Sequence, residues 1–227
     1  MEKNKVTSYL LYAIGEIVLV VAGILIAVQI DDWNENRKSS NIEIEILKGI
    51  QSDLVKNEQR IMYMMSYDSM IVKKNNALLK VLNDKSSIYN DSLSIYFADI
   101  FQYSTFFPQR MGYENLKTYG LDIIKNDSLR LNIIELFEET YSQHIHIGER
   151  KSQASFEANR LLNKYLYTIN FKRQRIPSDF EAIKENQEIK NVISYLTEDR
   201  RAMGYQSIYM LDKTKLLINS INKEIEN

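Results

Sequence analysis

The sequence contains no cysteine, only two prolines, seven glycines and two histidines. The absence of cysteine excludes disulfide bonds, thiolate metal sites and cysteine nucleophiles. So few prolines and glycines argue against a turn-rich β-sandwich or β-barrel and favour long helices. The formal charge of −1, from 29 basic and 30 acidic residues, lacks the basic excess that phosphate binding requires. We therefore expect no nucleic-acid partner.

The sequence also lacks the motifs that carry most enzyme chemistry. It contains no GxGxxG, P-loop, GxSxG or HExxH pattern. The two histidines, His144 and His146, stand two positions apart on a predicted helix and point in different directions, so they cannot hold one metal ion together. We predict a protein that is not an enzyme, with no catalytic residues, no cofactor and no metal.

What the chain does contain is an apolar run of 22 residues, from Tyr9 to Ile30, with a single formal charge. As a helix it is about 33 Å long, which is enough to cross a bilayer. A cleaved signal peptide is the alternative, but its apolar region spans only about 7–15 residues and ends in a small-x-small site, which Ala27-Val28-Gln29 does not match. We expect an uncleaved membrane anchor, with Trp33 as an interfacial anchor residue.

The single charge in this run is Glu16, about 10 Å into the segment. A carboxylate near the middle of a membrane helix costs about 2.5–3.5 kcal/mol on insertion scales, so it should be protonated, paired or turned toward another helix. Helical spacing gives it neighbours on one face, which comprises Tyr9, Tyr12, Glu16, Gly23 and Ala27. One interpretation is an interface with a second copy or another membrane protein. The other is that Glu16 lies shallow and reaches toward the headgroups.

The stretch from residue 12 to residue 38 contains four short runs of distinctive sequence. They are YAIGEIVLVV from Tyr12 to Val21, GILIA from Gly23 to Ala27, QI at Gln29-Ile30 and WNE from Trp33 to Glu35. In these runs the chain resembles the N-terminal signature of an uncharacterised family of small bacterial membrane proteins, with looser similarity at 108–126. The resemblance implies an inner-membrane protein of Gram-negative bacteria with a helical extramembrane domain, and it implies no activity.

Positive charges flank both ends of the apolar run in nearly equal number, and we favour an orientation with the N-terminus inside. The expected organisation is then a cytoplasmic stub at 1–8, a membrane helix at 9–30 and a periplasmic domain at 31–227.

The periodicity beyond the anchor predicts an all-α domain. Residues 42–83 favour one long helix that could continue the anchor, with heptad a and d positions at Leu47, Ile50, Leu54, Asn57, Ile61, Met64, Asp68, Ile71, Asn75, Leu78 and Leu82. Its two asparagines either fix the register or, as we expect, lie at partly solvated positions.

Two further long helices follow. The stripe of the second comprises Leu129, Ile133, Phe137, Tyr141, Ile145, Leu161, Tyr165 and Ile169, and the third spans about 187–225 with a seven-residue repeat. A short helix at 111–119 stops at Gly120, and 172–177 is expected to be a loop. The expected fold is an elongated up-down bundle of about three long helices plus short connecting helices.

One loop is a speculative small-ligand site, because Arg110, Tyr113 and nearby Tyr119 could converge there. The alternative is a helix-helix connection whose aromatic side chains cap the bundle.

Three functions remain open at this point. The first is an oligomeric scaffold or accessory subunit, whose partners are the bilayer and another copy or another membrane protein. The second is a sensory module that binds an unknown small molecule and signals through a membrane partner. The third is a proton-coupled accessory subunit that uses Glu16.

Overall fold

The computed structural model describes residues 3–102, 104–169 and 174–226, with side chains at Tyr12, from Ile14 to Gln102, from Ser104 to Tyr167 and from Gln174 onward. Its elements in chain order are α1 (Lys3–Asn83), α2 (Leu93–Asp99), α3 (Met111–Tyr119), a 3-10 turn (Leu121–Ile123), α4 (Asp127–Ile134), a π-helical turn (Glu135–Thr140), α5 (Tyr141–Leu162), β1 (Leu166–Ile169), β2 (Gln174–Pro177), α6 (Phe180–Glu185) and α7 (Gln187–Glu226). The predicted all-α fold class is confirmed.

Helix α1 joins the apolar run to the domain without a break. Its 81 residues contain no proline and extend for about 120 Å. Residues 14–38 are exposed on every side, and one face becomes buried from about residue 42 onward. The stretch 31–41 is therefore a helical stalk of about 16 Å between the apolar run and the bundle.

The heptad face of α1 is the core face of the bundle. Every a and d position named above is buried, including the polar ones. Asn57 and Asn75 are 0% exposed, so the expectation that they are partly solvated is wrong. Helix α7 packs along this face in the opposite direction, since Gln51 contacts Asn222 and Asn75 contacts Thr197. The repeat of α7 at Ile189, Leu196, Met203, Met210 and Leu217 is buried too.

Elements α4, the π-helical turn and α5 form the second rod, over 127–162. Its first residues lie beside Glu43, near the start of the bundle, and Leu162 packs in the same cluster as Leu78. The rod therefore runs in the same direction as α1, and only α7 runs against them. This order corrects the expected up-down sequence of three rods.

The π-helical turn explains why the predicted stripe of this rod fails after Tyr141. A π-helix accommodates an extra residue per turn and so rotates the helix that follows. The buried face continues through His144, Gly148, Ser155, Ala158 and Leu162, whereas Ile145 and Leu161 are only half-buried.

Between the first two rods, the short elements of 84–126 bring the chain back along α1 toward the start of the bundle. Ser104 donates to Asp68 (2.9 Å) and the Gln109 N–H donates to Asn57 (2.6 Å). These two partners are eleven residues apart on α1, or about 16 Å, and the five steps from residue 104 to residue 109 span that distance only when the backbone is almost fully extended. We call 104–109 the descending segment.

Two strands, at 166–169 and 174–177, replace the predicted end of the second long helix and the part of the predicted loop from 174 to 177, while positions 172 and 173 of that loop lie outside the described residues. Strand β1 pairs antiparallel with β2, with Leu166 opposite Pro177 and Ile169 opposite Gln174. Leu166, Tyr167, Thr168 and Ile169 are good strand formers, and Leu166 is buried against the membrane-distal core. That packing outweighs the helical spacing on which the expectation rested.

The bundle has two apolar cores at different heights. The membrane-proximal core combines α1, α3, α4 and the end of α7, and the distal core combines the end of α1 with α2, β1, α6 and the start of α7. Between them, at the level of Asp68 on α1, the buried side chains are largely polar.

Candidate functional site

The predicted membrane face is intact and uncovered within the chain. Tyr12, Glu16, Gly23 and Ala27 are all exposed on α1, and a Cβ added at Gly23 meets nothing within 4 Å. The side chain of Tyr9 lies outside the described residues. Helix α1 is long and apolar enough near its N-terminus to cross a membrane, and the apolar window there is not buried against any other described part of the chain.

This face points away from the rest of the bundle. Ile50 follows Gly23 by 27 residues and Leu54 follows Ala27 by the same number, about 7.5 helical turns in both cases. Both later residues are fully buried in the core, so the membrane face lies on about the opposite side of α1. Exposed Lys48, about seven turns after Gly23, shares its side. A neighbour on this face would not collide with α7.

Trp33 marks the junction of the apolar run with the stalk. Its side chain is exposed, and the Arg37 guanidinium lies 5.9 Å from the ring centroid, one turn further along α1. The indole therefore sits where an interfacial aromatic residue is expected, with a cation on its outer side.

The speculative ligand loop is only partly assembled. Arg110 lies 5.7 Å from the ring of Tyr113, but its guanidinium is already bonded to Glu114 (2.8 Å) and Glu138 (3.3 Å). Tyr119 stands at the other end of α3 with its ring exposed. The structure brings Arg110 and Tyr113 together and does not bring Tyr119 to them.

Tyr113 itself is a packing residue of the proximal core. It is 2% exposed and stacks on Phe137 at 4.7 Å between ring centroids. Burial, and then a hydrogen bond with Glu138, raise the pKa of Tyr113 to about 12. That environment fits an aromatic side chain that caps the bundle, while a ligand role for the loop stays a prediction.

Polar side chains of α1 fasten the chain that leads into α3. Asn57 donates to the Gln109 carbonyl (2.8 Å) and accepts from the Gln109 N–H (2.6 Å), and Asp53 accepts from the Gly112 N–H (2.7 Å). A Cβ on Gly112 would lie 2.4 Å from the backbone nitrogen of Ile50, so only glycine permits this crossing of α3 over α1.

A charged layer separates the two apolar cores. We use this name for Asp68, Ser104, His144, Lys151, Asp199 and Arg200. Asp68 and Arg200 are 3.4 Å apart and both are more than nine-tenths buried, and Arg200 also donates to the Gln102 carbonyl. Lys151 on α5 donates to the Asp199 carbonyl (2.6 Å) and lies 3.1 Å from its carboxylate. The layer therefore ties all three rods to the descending segment.

Burial dominates the electrostatics of this layer. It raises the pKa of the Asp68 carboxyl, against the opposing effects of the Ser104 hydrogen bond and the Arg200 charge. It also lowers the pKa of Lys151, and the contact with Asp199 opposes that change. Burial, helped by the charge of Lys151, lowers the pKa of His144 to about 4. His144 is therefore neutral at pH 7 and adds no charge to the layer.

Two polar atoms of the layer have no hydrogen-bond partner among the described residues, His144 Nε2 and Arg200 Nη1. A cavity of about 30 Å³ adjoins Arg200 and is also lined by Asp68, Ser104, Lys151 and Ser155. This space holds a water molecule or two and no organic ligand. The layer therefore connects the three rods around a space of the size of one or two water molecules.

The sequence contained a weak signal for this layer. Asp68 occupies a heptad a position of α1, and Arg200 lies four residues after Leu196 of the α7 repeat. What periodicity does not show is that these two residues meet. Across the described ranges, no group of three or more His, Asp or Glu side chains is arranged to hold a metal ion.

The fold thus defines an all-α protein with one candidate membrane-spanning helix and a helical bundle on its carboxyl side. Residues 16–197 match the model of a family of unknown function, DUF6090, and the chain belongs to that family. The expectation of an uncharacterised family is confirmed, whereas a shared N-terminal signature at 12–38 stays a prediction. No curated protein and no solved structure matches the chain.

Proposed function

We propose that this protein is a non-enzymatic, single-pass inner-membrane scaffold that assembles laterally through the Glu16, Gly23 and Ala27 face of α1. Residues 1–8 form the cytoplasmic stub, and the domain at 31–227 stands in the periplasm. The stalk at 31–41 holds the bundle at a fixed distance from the bilayer. The partner on the membrane face is a second copy or another membrane helix.

The observation that supports this proposal most strongly is the direction of the membrane face. Glu16 and its neighbours have no partner within the described chain, and they lie on the side of α1 opposite the bundle core. A partner stabilises a carboxylate in hydrocarbon, and small residues allow a second helix to approach closely. The partner can therefore run beside α1 without meeting α7.

Cysteine crosslinking tests this arrangement directly, since the natural chain has no cysteine. Gly23→Cys and Ala27→Cys place a thiol on the proposed interface. Leu25→Cys is the matched control, because it follows Glu16 by nine residues, about 2.5 turns, and so faces the other way. We expect oxidation in membranes to give covalent dimers with the first two variants and few with the third. Equal yields from all three positions would refute the proposed face.

The orientation needs a separate test. Ser40→Cys lies in the stalk and should react with a membrane-impermeant maleimide added outside spheroplasts. Labelling only after the membrane is opened would place the domain in the cytoplasm and contradict the proposed topology.

A sensory module is the second candidate, and the continuity of α1 favours it, because a shift in the bundle would be carried through one rigid helix into the bilayer. A small molecule that raises the melting temperature of the domain would support this function. A proton-coupled role depends on Glu16 alone. It predicts that Glu16→Gln abolishes function, whereas a scaffold whose interface needs only a polar side chain tolerates that change.

A further inference from the structure

A groove of about 840 Å³ lies between α1 and the descending segment, and its lining ends at Gln109, the residue before Arg110 of the speculative ligand loop. Its floor is formed by Met64 and Phe106, which are both 3% exposed, and its rims carry Tyr63 and Phe107, whose side chains are 71% and 68% exposed. The two exposed rings are therefore the main apolar surface that the groove offers to another molecule.

The groove has a positive charge with no counter-charge. Lys56 and Arg60 line it, and no Asp or Glu is among its lining residues. In the described part of the chain, neither cation forms an ion pair within 4 Å. The groove is therefore complementary to carboxylates.

Arg60 is held in place before any partner binds. Its guanidinium donates to the Phe107 carbonyl, and the side-chain oxygen of Gln109, with the amide turned toward it, accepts from Nη2 at 2.7 Å. Both of these partners are neutral, so the charge of Arg60 remains available. A cation fixed in this way loses little side-chain freedom on binding.

The shape of the groove indicates the class of partner. From Lys56 to Tyr67 it follows α1 for eleven residues, about 16 Å, which is the length of about five residues of extended chain. A small-molecule site encloses about 70–90% of its ligand. This groove is open along its length, which suits a peptide that lies between a helix and an extended segment.

We propose that this groove binds an acidic segment of a partner protein in an extended conformation. Carboxylates of the segment meet Lys56 and Arg60, and its apolar side chains pack against the exposed rings of Tyr63 and Phe107. This site is independent of the membrane face.

The test uses full-length protein in lipid nanodiscs and a displayed library of random seven-residue peptides. We expect the selected peptides to be enriched in Asp and Glu. Lys56→Glu should weaken their binding about fivefold or more, and the double variant Lys56→Glu/Arg60→Glu about tenfold or more. Lys48→Glu, an equally exposed change two turns earlier on α1, should leave binding unchanged.

Lys56 has no bond within the described structure, so its variant keeps the fold and the test stays decisive even if the change at Arg60 loosens the descending segment. Tyr63→Ala should also weaken binding, and Tyr119→Ala should not. No enrichment, peptides without an acidic excess, or binding that survives both Lys56→Glu and Tyr63→Ala would overturn the proposal. Loss of binding with Tyr119→Ala alone would move the site to the loop at Arg110 and would overturn it equally.

Discussion

Replacing Gly112 with alanine should destabilise the bundle, because α3 crosses α1 with no space for a methyl group. The new Cβ would lie 2.4 Å from the nitrogen of Ile50 and 2.5 Å from the carbonyl carbon of Gly49. Both are backbone atoms of a core helix, so α3 itself must move by about 1 Å to restore ordinary contact. That movement stretches the bond from the Gly112 N–H to Asp53, now 2.7 Å.

The expected cost combines two effects. Overpacking costs about 1–3 kcal/mol and a weakened buried hydrogen bond about 1 kcal/mol, so the free energy of unfolding should fall by about 2–4 kcal/mol. For a chain of this size the melting temperature should fall by about 5–15 °C. The assay is thermal unfolding of the full-length protein in detergent micelles, followed by circular dichroism at 222 nm.

Gly204→Ala is the matched control, since Gly204 lies in the middle of α7 and an added Cβ there meets nothing within 4 Å. Alanine is the better helix former, so this variant should be more stable by about 0.5–1 kcal/mol. Opposite signs for the two substitutions are the expected result. If Gly112→Ala melts at or above the wild-type temperature, the described crossing of α3 over α1 is wrong.

Three further predictions concern the polar groups of the bundle. Arg200→Met leaves the buried Asp68 carboxylate unpaired and should cost about 3–5 kcal/mol in urea unfolding, while Asp68→Leu/Arg200→Met should regain most of that loss. His144 has a pKa of about 4 in the folded chain and 6.5 in the unfolded chain, so its contribution to the free energy of unfolding should be constant above pH 6.5 and fall by about 3 kcal/mol toward pH 4. His144→Gln should remove that decline. If the variant and the wild type have the same pH profile, the imidazole is not buried in its neutral form. Asn57→Ala leaves the Gln109 N–H and carbonyl unpaired, should cost about 2–4 kcal/mol, and should expose 102–110 to faster proteolysis.

The long helices could be predicted from sequence because their signal is local. The heptad spacing of Leu47 to Leu82 identifies the buried face of α1, and Gly120, at φ 101°, ends α3 at the predicted residue. Periodicity reports which side of a helix is apolar, and that side is the buried one wherever the helix stays regular. It fails at the π-helical turn, where an extra residue rotates the face from Ile145 to His144.

The order of the rods and the charged layer could not be predicted in the same way. Asp68 and Arg200 are 132 positions apart, and nothing in the neighbourhood of either residue specifies the other. In the sequence, Asp53 and Asn57 are polar residues that interrupt an apolar face. Their hydrogen-bond partners lie more than fifty residues later in the chain, so their role is visible only in the folded structure. Tertiary hydrogen bonds of this kind satisfy buried polar groups and leave no periodic signal.

The central claim is that α1 assembles laterally through its Glu16 face, and the number of chains in each particle tests it most directly. Native mass spectrometry of full-length protein from lipid nanodiscs should give at least two chains for the wild type and for Leu25→Ala, on the opposite face of the helix. At the same ratio of protein to lipid, Glu16→Ala should give mostly single chains, since an intramembrane polar contact contributes about 0.6–2 kcal/mol to helix association. A wild type that is a single chain would exclude a second copy as the partner, and a Glu16→Ala variant that assembles as fully as Leu25→Ala would contradict the account.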